Sequence, residues 1–125
     1  MGVVASLQGR EFLAGSPEFG QGFESYLFHE LASYRDYAAH EPLSFWRSTS
    51  GFEVDFILGD HTAIEAKAKE TISRQDLRSL VALAEEKRLR RYLCVSLEPR
   101  PRQLGLVRIL PWREFLDALW ENRYV

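Results

Sequence analysis

The chain has 125 residues, 46% hydrophobic and 27% charged, with a formal net charge of −2. That length and balance fit one domain with its own core, and they exclude a disordered or low-complexity chain and a partner bound through overall positive charge alone. The single cysteine, Cys94, excludes a disulfide framework and fits a reducing cytoplasm, and no apolar run approaches the roughly 20 residues that span a bilayer.

Residues 1–15 carry no clear element signal and read as a flexible or truncated leading segment of a single domain, 1–125; they lack the basic-then-apolar pattern of a secretory signal. Ser16-Pro17-Glu18 is a helix start: a capping serine, proline at the first helical position and an acid in the first turn. The helix is expected to run to about Ala39, with Phe19, Phe23, Tyr26, Leu27, Glu30, Leu31 and Tyr34 on one stripe. Glu41-Pro42 stops it.

Three strands follow: Leu43–Arg47, Phe52–Leu58 and Thr62–Lys69, joined by tight turns into an antiparallel meander. Phe45 and Trp46 in the first are expected in the core. A second helix is expected from Arg74 to Lys87, opened by a loose capping box of Ser73 with Asp76. Arg90–Leu97 is apolar enough for a strand covered on both faces. Glu98–Gln103 reads as a loop, Leu106–Leu110 as a last strand, and Pro111 starts a third helix. The sum is an α/β fold, a mixed central sheet flanked by helices.

Strict alternation puts Glu53 and Asp55 on one face of the second strand, and Glu65, Lys67 and Lys69 on one face of the third. Acids with a lysine beside them can hold a divalent metal; the same pattern also decorates a solvated hairpin. Glu53 is either a fourth acid or an ion-pair partner for Lys67. Arg47 either pairs with a site acid or contacts a phosphate. Lys69 is either an exposed strand-end lysine or a nucleic-acid contact. Arg74 and Arg78, with Lys87, Arg88, Arg90, Arg91, Arg100 and Arg102, could line a nucleic-acid groove, although cations also suit the helix C-terminus around Lys87. His29, His40 and His61 share no ligand spacing that points to zinc.

Asp55, nine residues, then Glu65-Ala66-Lys67, behind a helix carrying Gly22-Phe23-Glu24-Ser25-Tyr26, resembles the PD-(D/E)xK nuclease superfamily, with its restriction-endonuclease-like αβββαβ core. Trp46-Arg47 through Lys67 further resembles the C-terminal domain of a group of prokaryotic AAA-type ATPases of uncharacterised function. The phosphate loop of such an ATPase is absent from this chain. The resemblance implies a cytoplasmic, metal-dependent nuclease acting on DNA. It implies Mg²⁺ or Mn²⁺ on Asp55 and Glu65, with Glu24 completing or orienting the site, Lys67 assisting the attacking water or the phosphate, and the Ala66 carbonyl as a further ligand. Gln75 matches a position that often touches the site. The alternative it leaves open is a catalytically inactive binding or assembly module, serving an AAA-type ATPase partner or forming a homodimer. No membrane association is expected.

Overall fold

The structure, a computed structural model, describes residues 4–7, 10–13, 17–39 and 42–124, with side chains from Phe19 to Tyr37 and from Pro42 to Tyr124. Ser16, His40 and Glu41 lie outside these residues, as do parts of the leading segment. Within that segment, β1 (Val4–Leu7) and β2 (Arg10–Leu13) form a two-stranded antiparallel hairpin where the sequence signals no element. Four-residue strands pair by register alone and leave almost no periodic trace.

Helix α1 (Pro17–Tyr34) continues into a π turn, Arg35–Ala39, so the helical stretch ends where expected. The expected meander forms from β3 (Leu43–Arg47), β4 (Glu53–Leu58) and β5 (Thr62–Lys67), all antiparallel neighbours. Gly59 closes the turn between β4 and β5 with φ of 59°, a left-handed value that glycine adopts without strain. A short 3₁₀ turn, Gln75–Leu77, leads into α2 (Arg78–Ala84). This helix is shorter than expected. Beyond Ala84 the exposed run Glu85–Arg88 offers no apolar stripe, and Lys87 turns left-handed with φ of 54°.

Strand β6 (Arg91–Ser96) lies parallel to β5. The expected loop 98–103 partly folds into β7 (Arg102–Leu104), which forms a hairpin with β8 (Val107–Pro111) around Gly105. Arginine, glutamine and proline hide a strand this short, and pairing with β8 is what makes it one. Helix α3 (Trp112–Trp120) follows. The six-stranded sheet has the order β3-β4-β5-β6-β8-β7.

Helices α1 and α3 cover one face. Phe19, Phe23, Leu27 and Leu31 recur every fourth residue and pack with Phe56, Leu58, Ile64, Leu93 and Val95. Helix α2 covers the other face, with Leu77, Leu80 and Leu83 against Val54, Ile57, Ala63, Cys94 and Ile109. β6 is thus buried on both sides, as its unbroken apolar run implies.

A buried clamp ties the loop after β6 to the loop before α2. Glu98 Oε2 accepts the Ile72 N–H at 2.6 Å, and Arg102 binds both oxygens of Glu98 at 2.8 and 2.9 Å. The Arg102 hydrogen bonds hold the Glu98 carboxyl below its ordinary value. Glu98→Ala strands the Ile72 N–H and is expected to lower unfolding free energy by about 2 kcal/mol in urea titrations, with the m-value unchanged. No loss would show that water replaces the carboxylate at Ile72.

Candidate functional site

Strict alternation along β4 fails at one point, and the candidate site is built there. β3 and β4 pair Ser44 with Ile57 and Trp46 with Val54, so Asp55 and Phe56 together oppose the single residue Phe45. That is a β-bulge on β4. It puts Val54 and Ile57 on the α2 face and Phe56 and Leu58 on the α1 face. Glu53 and Asp55 flank Val54 ahead of the extra residue, so the alternation behind their expected common face is not interrupted. Phe45, expected in the core, is 66% exposed opposite the bulge, whereas Trp46 packs against the α2 layer.

The bulge also breaks the ladder to β5. Regular pairing covers Phe56↔Ile64, Ile57↔Ala63 and Leu58↔Thr62. One residue further, the Ala66 N–H donates to Asp55 Oδ2 at 2.9 Å. A side-chain carboxylate takes the place of a strand carbonyl, so Asp55 is anchored by the backbone of the strand that carries Glu65 and Lys67.

Glu65 pairs in register with Cys94 on β6 and is only 5% exposed, far from the solvated hairpin face that its alternation also allows. Its Oε2 is buried with no hydrogen-bond partner. Burial first, and then the charge of Asp55, lifts the Glu65 carboxyl to about 7, although Lys67 pulls it down. Asp55 is raised by burial against the lowering pull of the Ala66 N–H and Lys67. Glu24, exposed on α1, is raised by partial desolvation and then by Asp55, with Lys67 again opposing. Three acids and one lysine thus act on each other across α1, β4 and β5. Cys94, beside Glu65, is pushed up to about 12, chiefly by burial, so it stays a neutral thiol.

Sequence reasoning missed Asp76 as a member of this field. Its charge also raises Glu65. It forms the expected capping box with Ser73, its Oδ2 accepting the Ser73 N–H at 2.9 Å while Ser73 Oγ receives the Asp76 N–H at 3.3 Å. The Ser73–Asp76 spacing was the available signal, and it speaks of a helix start rather than of a site. Partial burial would raise Asp76, but hydrogen bonds from Lys69 and Ser73 outweigh it and hold it low.

Other expected members stand apart. Lys69 places its ammonium on Asp76 Oδ1 at 2.7 Å, so it is an exposed strand-end lysine paired with that acid. Glu53 pairs with Arg47 at 2.9 Å across β3 and β4, both exposed, and its charge also raises Asp55. Gln75, Arg74 and Arg78 are exposed around the start of α2. His61 is buried, its Nδ1 2.7 Å from Thr62 Oγ1. An open cleft of about 460 Å³ lies beside Glu24, lined also by Gln21, Ser25, Phe28, His29 and Phe56.

Whether these donors suit a metal turns on two observations. The orphaned Glu65 Oε2 and the anchored Asp55 are hard oxygen donors of the kind Mg²⁺ and Mn²⁺ take. Among the described residues, however, no group of three or more His, Cys, Asp or Glu is gathered closely enough to hold a metal ion. The fit is therefore to a pair, Asp55 and Glu65. Glu24, exposed on α1, acts on the pair through its charge and forms no three-acid group with it.

The family model described as a domain of unknown function (DUF4143), a domain typically found at the C-terminus of AAA-type ATPases, matches residues 19–115. No curated protein and no solved structure matches the chain. Among the described residues, no helix is long and apolar enough to cross a membrane.

Proposed function

The chain belongs to the DUF4143 family, and from that premise we propose that it is a metal-dependent nuclease-like domain that hydrolyses phosphodiester bonds of DNA. The observation that carries the reading is Glu65 Oε2, a buried carboxylate oxygen with no partner, beside Asp55 and Lys67. A buried polar atom left unpaired is costly, and a cation bound there removes the cost. Asp55 and Glu65 would hold Mg²⁺ or Mn²⁺ as a pair, with water filling the remaining positions. When bound, such an ion lowers the pKa of water and offsets charge developing on the phosphoryl oxygens.

The chain's own residues do the rest. The Ala66 N–H fixes one oxygen of Asp55 and so orients the carboxylate. Lys67 favours the ionised form of the acids around it and supplies a positive charge for the phosphate or the attacking water. Glu24, at the rim, orients water there. Arg74 and Arg78, exposed at the start of α2, suit the backbone phosphates of a longer strand.

Calorimetric titration with Mg²⁺ and Mn²⁺, alongside cleavage assays on single- and double-stranded DNA, tests this. Wild-type protein is expected to bind metal and cut, and Asp55→Asn to do neither. No heat with either ion and no cleavage of DNA or RNA would sink the reading.

One observation favours a second reading, a catalytically inactive binding or assembly module of an AAA-type ATPase system. Strand β3 is one of the two outer strands of the sheet and presents Phe45, an apolar edge of the kind that pairs with another chain. Light scattering and co-purification with an AAA-type ATPase distinguish a homodimer from an ATPase complex, and Phe45→Lys is expected to weaken whichever forms.

A further inference from the structure

The arginines near the end of α2 have a second setting. Arg90, Arg91 and Arg108 converge with Gln103, Leu106 and Tyr124 around a cavity of about 330 Å³. The strand registers put it at the other end of the sheet from the acids. Thr62 pairs with Arg91, while Glu65 and Lys67 pair with Cys94 and Ser96. Three to five strand residues separate the two places, about 10–17 Å along the strand. Leu93 and Gln103 flank Arg108 from β6 and β7, so the cavity floor spans three strands.

The charge here is unmatched. No ion pair reaches Arg90, Arg91 or Arg108 among the described residues, and no carboxylate lines the cavity. Glu114 on α3 acts on Tyr124, against the opposing charges of Arg91 and Arg108. In a chain of net charge −2, three guanidinium groups held together without acids lack a counter-charge. Arg91 is also held in place. Its Nη1 donates to Thr62 Oγ1 at 3.3 Å and to the Tyr124 carbonyl at 3.2 Å, and its guanidinium lies 5.5 Å from the centre of the Tyr124 ring. A guanidinium so fixed presents its remaining N–H groups in a set direction, which suits the oxygens of a phosphoryl group. Leu106, 60% exposed at the β7–β8 turn, adds an apolar wall for whatever carries that group.

We propose that this cavity is a binding site for a phosphoryl group, supplied either by a free nucleoside monophosphate or by the backbone of a nucleic acid, separate from the Asp55–Glu65 site. The side chains of Arg90 and Arg108 are exposed and hold no hydrogen bond among the described residues, so Arg90→Gln and Arg108→Gln leave the fold intact, which thermal unfolding of each variant checks.

Binding is measured on the full chain by titration with AMP, with inorganic phosphate and with a short single-stranded oligonucleotide, for wild type and Arg90→Gln/Arg108→Gln. The expected result is binding that weakens at least tenfold in the double variant. AMP binding identifies the free nucleotide as a source, and oligonucleotide binding without AMP identifies the nucleic-acid backbone. Binding that survives the double variant would overturn the proposal by moving the ligand elsewhere on the chain. So would the absence of binding for all three ligands at millimolar concentration.

Discussion

Glu65→Gln is expected to raise the unfolding temperature at pH 8 and to leave it almost unchanged at pH 5. In the folded protein the Glu65 carboxyl titrates at about 7 instead of 4.5. The folded state therefore holds this proton more tightly than the unfolded chain does. The group costs nothing below the unfolded value, and the cost grows as pH rises from about 4.5 to about 7. Above that window the buried, ionised Glu65 costs up to about 3 kcal/mol. Glutamine keeps the shape and loses the charge, so the gain at pH 8 is roughly 8–10 °C in unfolding temperature.

Saturating Mg²⁺ tests the functional side of the same residue. It is expected to stabilise wild-type protein and not Glu65→Gln, because an ion that binds only the folded state adds stability by mass action. Metal binding must also release a proton below pH 7, so affinity for Mg²⁺ rises with pH through the same window. A Glu65→Gln protein less stable than wild type at pH 8 would show that the ionised carboxylate has a partner that the folded chain already supplies.

Lys67→Met is expected to cut DNA cleavage about 10³-fold, or about 4 kcal/mol of barrier. Two effects combine. Lys67 supplies positive charge where a phosphate would enter, and it opposes the upward shift of Glu24, Asp55 and Glu65. Without it all three carboxyls rise, so the acid limb of the pH–rate profile moves to higher pH while the maximum falls. NMR titration of the Glu65 carboxyl separates these roles without any assay of cleavage. A midpoint that moves up confirms the electrostatic coupling even in a protein that does not cut. Unchanged cleavage in Lys67→Met would remove this lysine from the chemistry.

The two substitutions act on one strand but on opposite balances. Glu65→Gln relieves a cost that the folded state carries when this carboxyl is ionised. Lys67→Met increases that cost. Measured together at pH 8, the first protein should be more stable than wild type and the second less so.

Much of the architecture was legible in local pattern. The four-residue recurrence of Phe19, Phe23, Leu27 and Leu31 specifies α1 and the face it buries. Short β-rich runs with Gly51 and Gly59 between them specify a meander, and the unbroken apolar run 92–95 specifies a strand with helices on both sides. Those features depend on residues near each other in the chain, where periodicity is a sufficient signal.

The sequence by itself determined the three-layer α/β arrangement and brought Asp55, Glu65 and Lys67 to neighbouring strands. Only the tertiary structure decided what they are there. The bulge at Asp55 exists because β3 and β4 register around Phe45, and no alternation in β4 alone records it. Glu65 is buried because β6 lies beside β5 in parallel, a pairing made across 29 residues. Asp76 joins the field, Lys69 leaves it for Asp76, and Arg47 turns to Glu53 because charges choose partners by distance in space. β7, three residues long, is a strand only because β8 supplies its hydrogen bonds. Periodicity reports which face of an element is apolar; burial, register and charge pairing depend on what the rest of the chain brings to that face, and that is settled only when the layers pack.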